Sequence, residues 1–166
     1  MYRYIVARRI RQIFAGINAG DWETMVRSLA PDFTYRFYGD HALGGERRTH
    51  EDMRAWWQRV FRLLPGAKFE VRDVLIAGWP WHTRVATDLI VRCTLPDGTP
   101  YHNVVNQFVR LHWGRVIEVR TLEDTQKLER ALQVLAADSI EEAETPQITD
   151  EPTQAERVAP CAASRG

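Results

Sequence analysis

The residues best suited to small-molecule chemistry lie in a strand-like run from Tyr101 to Leu111. Alternation there puts Tyr101, Asn103, Val105, Gln107, Val109 and Leu111 on one face and His102, Val104, Asn106, Phe108 and Arg110 on the other. The first face mixes apolar bodies with a few neutral hydrogen-bonding tips, the usual lining of a small-molecule site. Its amides can donate to a ligand carbonyl without changing charge, and the phenol of Tyr35 is suited to the same task. Acid or base catalysis also needs a titratable group. Asp88 is a candidate, yet alternation places it with Arg84, Ala86 and Arg92, while Val85, Thr87, Leu89 and Val91 form the more apolar side. His41, His50, His82 and His102 fall in a loop, a helix cap, a turn and a strand. No two His, Cys or carboxylate groups share a metal-ligand spacing, so no metal and no other cofactor is expected.

Those side chains must be positioned by a core of helices and strands. Tyr2, Val6, Ile10, Ile13, Phe14 and Ile17 recur every three or four residues, which predicts a first helix with arginines on its outer face. Gly20 ends it and Asp21 caps a second, containing Trp22, Met25, Val26 and Leu29; Pro31 stops that helix. Phe33, Tyr35 and Phe37 alternate as a short strand, and the glycine-rich loop after it, holding His41 and Glu46, reads as neither element. Thr49 to Asp52 resembles a capping box ahead of a third helix with a broad stripe of Met53, Trp56, Trp57, Val60, Phe61 and Leu64. Lys68 to Ala77 is the next strand, and three more follow between Thr83 and Leu122, with turns at Pro96-Asp97-Gly98 and Trp113-Gly114. Leu128, Leu132 and Leu135 mark a last helix. From 138 to 166 the chain turns acidic and poor in large apolar residues, which predicts a disordered tail beyond a single domain of residues 1–137.

Composition narrows the function classes. A chain of 166 residues that is 45% hydrophobic supports one core. Lys+Arg and Asp+Glu both number 22, so no overall field favours nucleic acid or an anionic bilayer, and neither is expected as a partner. The basic first helix is read as docked on the core with a solvated outer face. Cys93 and Cys161 make no disulfide framework, and the arginine-bearing start offers no apolar run for a signal peptide or membrane span. A cytoplasmic protein is expected.

Three stretches carry a family resemblance: Asn18-Ala19-Gly20-Asp21-Trp22, Leu29-Ala30-Pro31-Asp32-Phe33, and Trp113-Gly114-Arg115-Val116-Ile117-Glu118-Val119-Arg120. In this order and spacing the chain resembles the SnoaL-like branch of the nuclear transport factor two-like superfamily, related to ketosteroid isomerase and limonene epoxide hydrolase. The resemblance covers about residues 3 to 135. It implies an α+β fold: a curved antiparallel sheet wrapped around three N-terminal helices as an open cone, with a short C-terminal helix, a deep apolar pocket and a homodimer through the outer sheet face. Catalysis is not implied, because the same cone also serves binding modules.

Transfer of the related chemistries, residue by residue, leaves gaps. The isomerase-type base falls at or next to Phe37, the helix-one hydroxyl at Ile13 or Phe14, and the oxyanion acid at Gln107, so only a neutral donor remains. The hydrolase-type pair matches Asp88 for one carboxylate, but its arginine position is Ala86 and its second carboxylate position Thr121. A SnoaL-like cyclase needs less, one acid or base beside an apolar cavity, which the resemblance assigns to Asp88. The expected site therefore places Asp88 as catalytic group, with Tyr35, Trp56, Asn103, Gln107 and Phe14 binding a small apolar ring or polyketide-like compound. The alternative is a non-catalytic ligand-binding or dimerisation module of the same fold.

Overall fold

In the computed structural model of the protein, residues 1–138 and 140–149 are described. The elements run α1 (Tyr2–Asn18), α2 (Glu23–Ser28), β1 (Leu29–Phe37), β2 (Gly45–Arg47), α3 (His50–Leu63), β3 (Lys68–Trp79), β4 (His82–Thr94), β5 (Pro100–His112), β6 (Arg115–Glu123) and α4 (Thr125–Ala137), followed by a 3₁₀ turn (Glu141–Glu144). One six-stranded sheet in the order β2-β1-β6-β5-β4-β3 curls without closing. All pairs are antiparallel except β1 with β6, which bring Tyr35 beside Val119 and Phe37 beside Thr121 in parallel. This is the expected α+β cone.

Local chemistry explains the boundaries. Gly20, at φ 91°, takes the left-handed conformation that turns the chain after α1, and Asp21 then accepts from the Thr24 backbone N–H at 3.2 Å. Thr49 caps α3 by accepting from Asp52 N at 3.1 Å, and Asp124 caps α4 by accepting from Lys127 N. The helix before β1 ends at Ser28, earlier than the Pro31 stop, because β1 already pairs with β6 from Leu29. The glycine loop also differs from expectation: three of its residues form β2, with Tyr35 opposite Arg47 and Phe37 opposite Gly45.

Alternation on the central strands decides which residues face inward. Tyr101, Asn103, Val105 and Leu111 of β5 are buried while His102, Asn106, Phe108 and Arg110 are exposed, as the pattern requires. Helix α1 is pinned across β3 by its last residue: Asn18 Nδ2 donates to Phe69 O at 2.8 Å while Phe69 N donates to Asn18 Oδ1 at 2.7 Å. The rings of Phe14 and Phe69 then meet at 6.2 Å. Between the helices and the concave face lies a core of aromatic side chains, with Trp56 and Trp57 in edge contact at 5.0 Å.

The segment from Ile140 to Thr149 corrects the expected tail. Ala143 is buried, Ile140 and Ile148 pack on the core, and Arg62 bonds the Glu142 carboxylate with two nitrogens. Arg59 Nη1 donates to Pro146 O at 2.7 Å and the fully buried Arg47 to Ile148 O at 3.0 Å. Two isoleucines and an alanine sufficed to hold an otherwise acidic stretch because arginines on α3 and β2 were waiting for its carboxylate and carbonyls. The rest of the expected tail, 150–166, and residue 139 lie outside the described residues. A chain cut after residue 138 should melt at least ~4 °C below one cut after residue 149, corresponding to roughly 1 kcal/mol or more. Equal melting temperatures in thermal denaturation would show that the segment contributes no stability.

Candidate functional site

The cone holds two adjacent chambers whose shared walls are Phe14, Trp57 and Gln107. The outer chamber, about 170 Å³, lies between α1 and the sheet, with Ile13, Ile17, Met25, Val109 and Leu111 among its walls and Ile5, Arg9 and Gly114 at its rim. The inner one, about 40 Å³, reaches toward Tyr35, Trp56, Val105, Thr121 and Glu123. The alternation of β5 and β6 produces this arrangement. Gln107 sits opposite Thr121 and Val105 opposite Glu123, so one pleat face of each strand delivers its polar tips to the inner chamber.

The polar groups of the inner chamber form a short network. Gln107 Nε2 donates to Thr121 Oγ1 at 3.1 Å and more loosely to Tyr35 Oη at 3.4 Å, and Thr121 Oγ1 also approaches Tyr35 Oη at 3.4 Å. Tyr35 thus accepts from its neighbours, leaving its own proton for a ligand. Burial raises the Tyr35 pKa, so the phenol stays a donor. Glu123 is the titratable member. Its Oε1 is closed off from solvent and has no hydrogen-bond partner among the described residues. Burial pushes its carboxyl up to about 8, with the charge of Asp124 adding to the shift. The same carboxylate helps raise the pKa values of Tyr35 and Tyr101, so all three share one electrostatic neighbourhood.

The sequence candidates separate. Tyr35, Trp56, Gln107 and Phe14 line the chambers. Trp56 is fixed by donating its indole N–H to Leu43 O at 2.9 Å. Asn103 is fully buried but spent on structure: it donates to Tyr101 Oη at 3.1 Å and Asp124 O at 2.9 Å, and accepts from Val104 N. It anchors the start of α4 and borders neither chamber. Asp88 is a correction. Its side chain lies on the convex face, in register with Asn106 and Asp73, and pairs with Arg72 at 3.1 Å. Thr87 takes the inward position instead. The position follows the strand's periodicity rather than the inward placement that the resemblance implied. Of the histidines, His82 and His102 are exposed, His50 packs on Phe33, and His41 packs edge-on against Phe37 at 5.4 Å with its pKa lowered by burial.

Glu123 was missed. The signal for it was present, because Val119, Thr121 and Glu123 alternate on one face of β6, so the carboxylate absent at Thr121 is supplied two residues later.

The sequence signature of the SnoaL-like domain matches residues 10–119. The chain belongs to the SnoaL-like family. Among solved structures, wild-type IdmH from Streptomyces antibioticus, a candidate polyketide cyclase, is 24% identical over 76% of this chain and 97% of its own, with a TM-score of 0.63. A loop-truncation variant of IdmH is 25% identical over 76% of this chain and 98% of its own, with a TM-score of 0.62. An NTF2-like protein of unknown function from Burkholderia pseudomallei is 18% identical over 75% and 95% of the two chains, with a TM-score of 0.67, and shares the fold. No curated protein matches this sequence.

The raised Glu123 pKa has a stability consequence in this SnoaL-like cone. Between the unfolded value of 4.5 and the folded value of about 8, the native state holds a proton that the unfolded chain has lost, so this group's contribution is full below 4.5 and disappears as pH rises through about 8. His41, lowered by burial, acts in the opposite sense only below its ordinary value of 6.5. From pH 6.5 to 8 the native protein should therefore lose on the order of 1–2 kcal/mol that Glu123→Gln does not lose. Urea denaturation at the two pH values checks this; parallel pH dependence in both proteins would remove the raised acid from the site.

Proposed function

We propose that this SnoaL-like domain is an enzyme that moves a proton beside the carbonyl of a compact, mostly apolar ring compound. The observation that carries the reading is the raised carboxyl of Glu123, whose Oε1 is buried without a hydrogen-bond partner among the described residues, bordering an apolar chamber that also holds a Tyr35 phenol with a proton to give. At neutral pH roughly one Glu123 in ten is ionised, enough for it to act as base, and its conjugate acid can return the proton. The carbonyl oxygen would take the Tyr35 proton in a hydrogen bond as negative charge develops, with Gln107 and Thr121 holding the phenol in place. Burial excludes water and strengthens that bond.

Chamber size sets the ligand class. About 170 Å³ in the outer chamber is close to the roughly 150 Å³ of an engineered cavity that holds benzene, and below the ~300 Å³ at which drug-sized pockets begin. A compact ring fits there without displacing α1, provided its carbonyl end reaches past Gln107 into the inner chamber, where Glu123 and Tyr35 lie. A charged ligand would lose hydration with few partners to offset it. The cyclase description of IdmH agrees with carbonyl chemistry in this cone.

The reading extends to assembly and setting. A homodimer through the convex face is supported by exposed Leu75, Phe108 and Leu122 on that face, apolar area a monomer would leave in water. A reducing, cytoplasmic setting is supported by Cys93, a half-buried thiol with no disulfide partner among the described residues.

Deuterium exchange at the α-carbon of small cyclic ketones, followed by NMR, tests the chemistry. Glu123→Gln should lower exchange at least ~100-fold with affinity kept, and Gln107→Leu should weaken binding by about 1–3 kcal/mol. Asp88→Asn should change neither, costing at most ~1 kcal/mol of stability through the lost surface pair. Bound ketone with exchange indifferent to Glu123 would instead indicate the non-catalytic binding module. For assembly, sedimentation should give a dimer at micromolar concentration and Phe108→Arg a monomer; a wild-type monomer would sink that part.

A further inference from the structure

The mouth of the outer chamber is bordered on the α1 side by groups that proton transfer does not use. Helix α1 carries Arg3, Arg8, Arg9 and Arg11, and residues 1–20 contain no acidic residue, although the whole chain is balanced. None of these arginines makes an ion pair among the described residues. Ile5, one helical turn from both Arg8 and Arg9, is 55% exposed at the rim.

Three indoles stand beside this helix. Trp79, Trp81 and Trp113 are all more than half exposed. Trp79 stacks on Trp81 with centroids 5.9 Å apart, and Trp81 meets Trp113 at 6.1 Å. They sit on two hairpin tips tied together by Trp113 N donating to Pro80 O at 2.7 Å and by His112 Nδ1 donating to Trp81 O at 2.7 Å. Trp113 has φ 47° and the following Gly114 φ 78°. A two-residue hairpin turn with both φ values positive suits Asn-Gly, and a bulky residue at its first position is strained. A tryptophan is therefore held in a disfavoured conformation with its ring in water, which neither turn chemistry nor core packing accounts for.

The indoles, Arg9 and the mouth share one edge, and Arg8 and Arg11 continue the positive charge over the outer face of α1. Gly114, next in the chain after Trp113, lines the outer chamber together with Arg9, whose Nη1 lies 3.6 Å from where a Gly114 Cβ would stand. Tyr2 and Thr83 are hydrogen-bonded through their hydroxyls, fixing the start of α1 against β4 near Trp81.

We propose that this end of the cone docks on an anionic lipid surface, its indoles at headgroup depth and its arginines on the phosphates, so that an apolar ligand enters the outer chamber directly from the bilayer. Indole and arginine together suit an interface that is anionic outside and apolar within. A second copy would set one unpaired arginine face against another. Attachment is peripheral, since no helix among the described residues is long and apolar enough to cross a membrane. The overall charge balance pointed away from membranes because it averages a basic helix with acidic segments elsewhere. The docking does not depend on any chemistry at Glu123.

Co-sedimentation of the full chain with vesicles tests this. Phosphatidylcholine vesicles containing phosphatidylglycerol should bind it at least about tenfold more tightly than phosphatidylcholine alone, less so at high salt, with a blue shift of tryptophan emission. Trp113→Asn combined with Trp81→Ser should lower vesicle binding about tenfold with the melting temperature kept, because Asn-Gly suits the turn. Arg8→Glu with Arg9→Glu should abolish the preference for the anionic lipid. Folded protein that ignores vesicles overturns the proposal, as does vesicle binding unchanged in both variants. Conversion of a dimer to a monomer by the tryptophan variant, with vesicle binding intact, would assign the indoles to a second copy. Equal affinity for soluble polyglutamate would assign the helix to an acidic protein, and either result overturns the lipid surface.

Discussion

A buried guanidinium organises the narrow end of this cone. Arg47 on β2 has no solvent exposure; its Nη1 donates to Gly44 O at 2.7 Å and Ile148 O at 3.0 Å, and its Nη2 to Gly45 O at 2.8 Å. Its flat face lies 5.1 Å from the Trp56 ring and 5.5 Å from the Tyr35 ring. Removing such an ion from water costs several kcal/mol, and each charged hydrogen bond returns about 1.5–3. The chain can bury it only if the glycine loop, the segment after α4, Tyr35 and Trp56 all hold their places together. Two walls of the inner chamber, Tyr35 and Trp56, are positioned by that requirement.

The same electrostatic logic separates the two acids. Asp88 lies half-buried on the convex face with the Arg72 guanidinium 3.1 Å away. Glu123 faces an apolar chamber whose polar members are hydroxyls and an amide, surroundings that favour the protonated form. Arg47 tempers this by sitting over Tyr35, where its charge acts to lower the phenol's pKa against the larger effect of burial. A phenol that remains a donor beside a carboxyl that can both release and accept a proton is a combination with use in carbonyl chemistry.

Much of the fold was legible because its signals are local or periodic. The apolar stripes of α1 and α3 and the alternation of β5 repeat with the period of their element, and the turn at Trp113-Gly114 is marked by its glycine. What escaped was set by tertiary context. Three residues of a glycine-rich loop become β2 only because β1 offers an edge and Arg47 needs burial. An acidic stretch after α4 becomes ordered because Arg47, Arg59 and Arg62 take up its carbonyls and its Glu142 carboxylate. In the site, Tyr35, Trp56, Gln107 and Phe14 could be read from pattern. Asp88 was turned inward by analogy against its own periodicity, and Glu123 was passed over because analogy looked for an acid at Thr121.

The parallel pairing of β1 with β6 also dictates when the molecule can become whole. Phe37 meets Thr121, so a strand made early in synthesis has no permanent sheet neighbour on that side until roughly 80 residues later. At ~5–20 residues per second on the ribosome, that is about 4–16 s in which β1 and β2 exist as an unpaired ribbon. The β3, β4 and β5 meander, joined by short turns, can assemble meanwhile from neighbouring contacts. Arrival of β6 joins both halves at once, and with them the two sides of the inner chamber. The pocket is thus the last thing to exist, and a nascent chain halted before Arg115 would have half a cone and nothing able to hold a ligand.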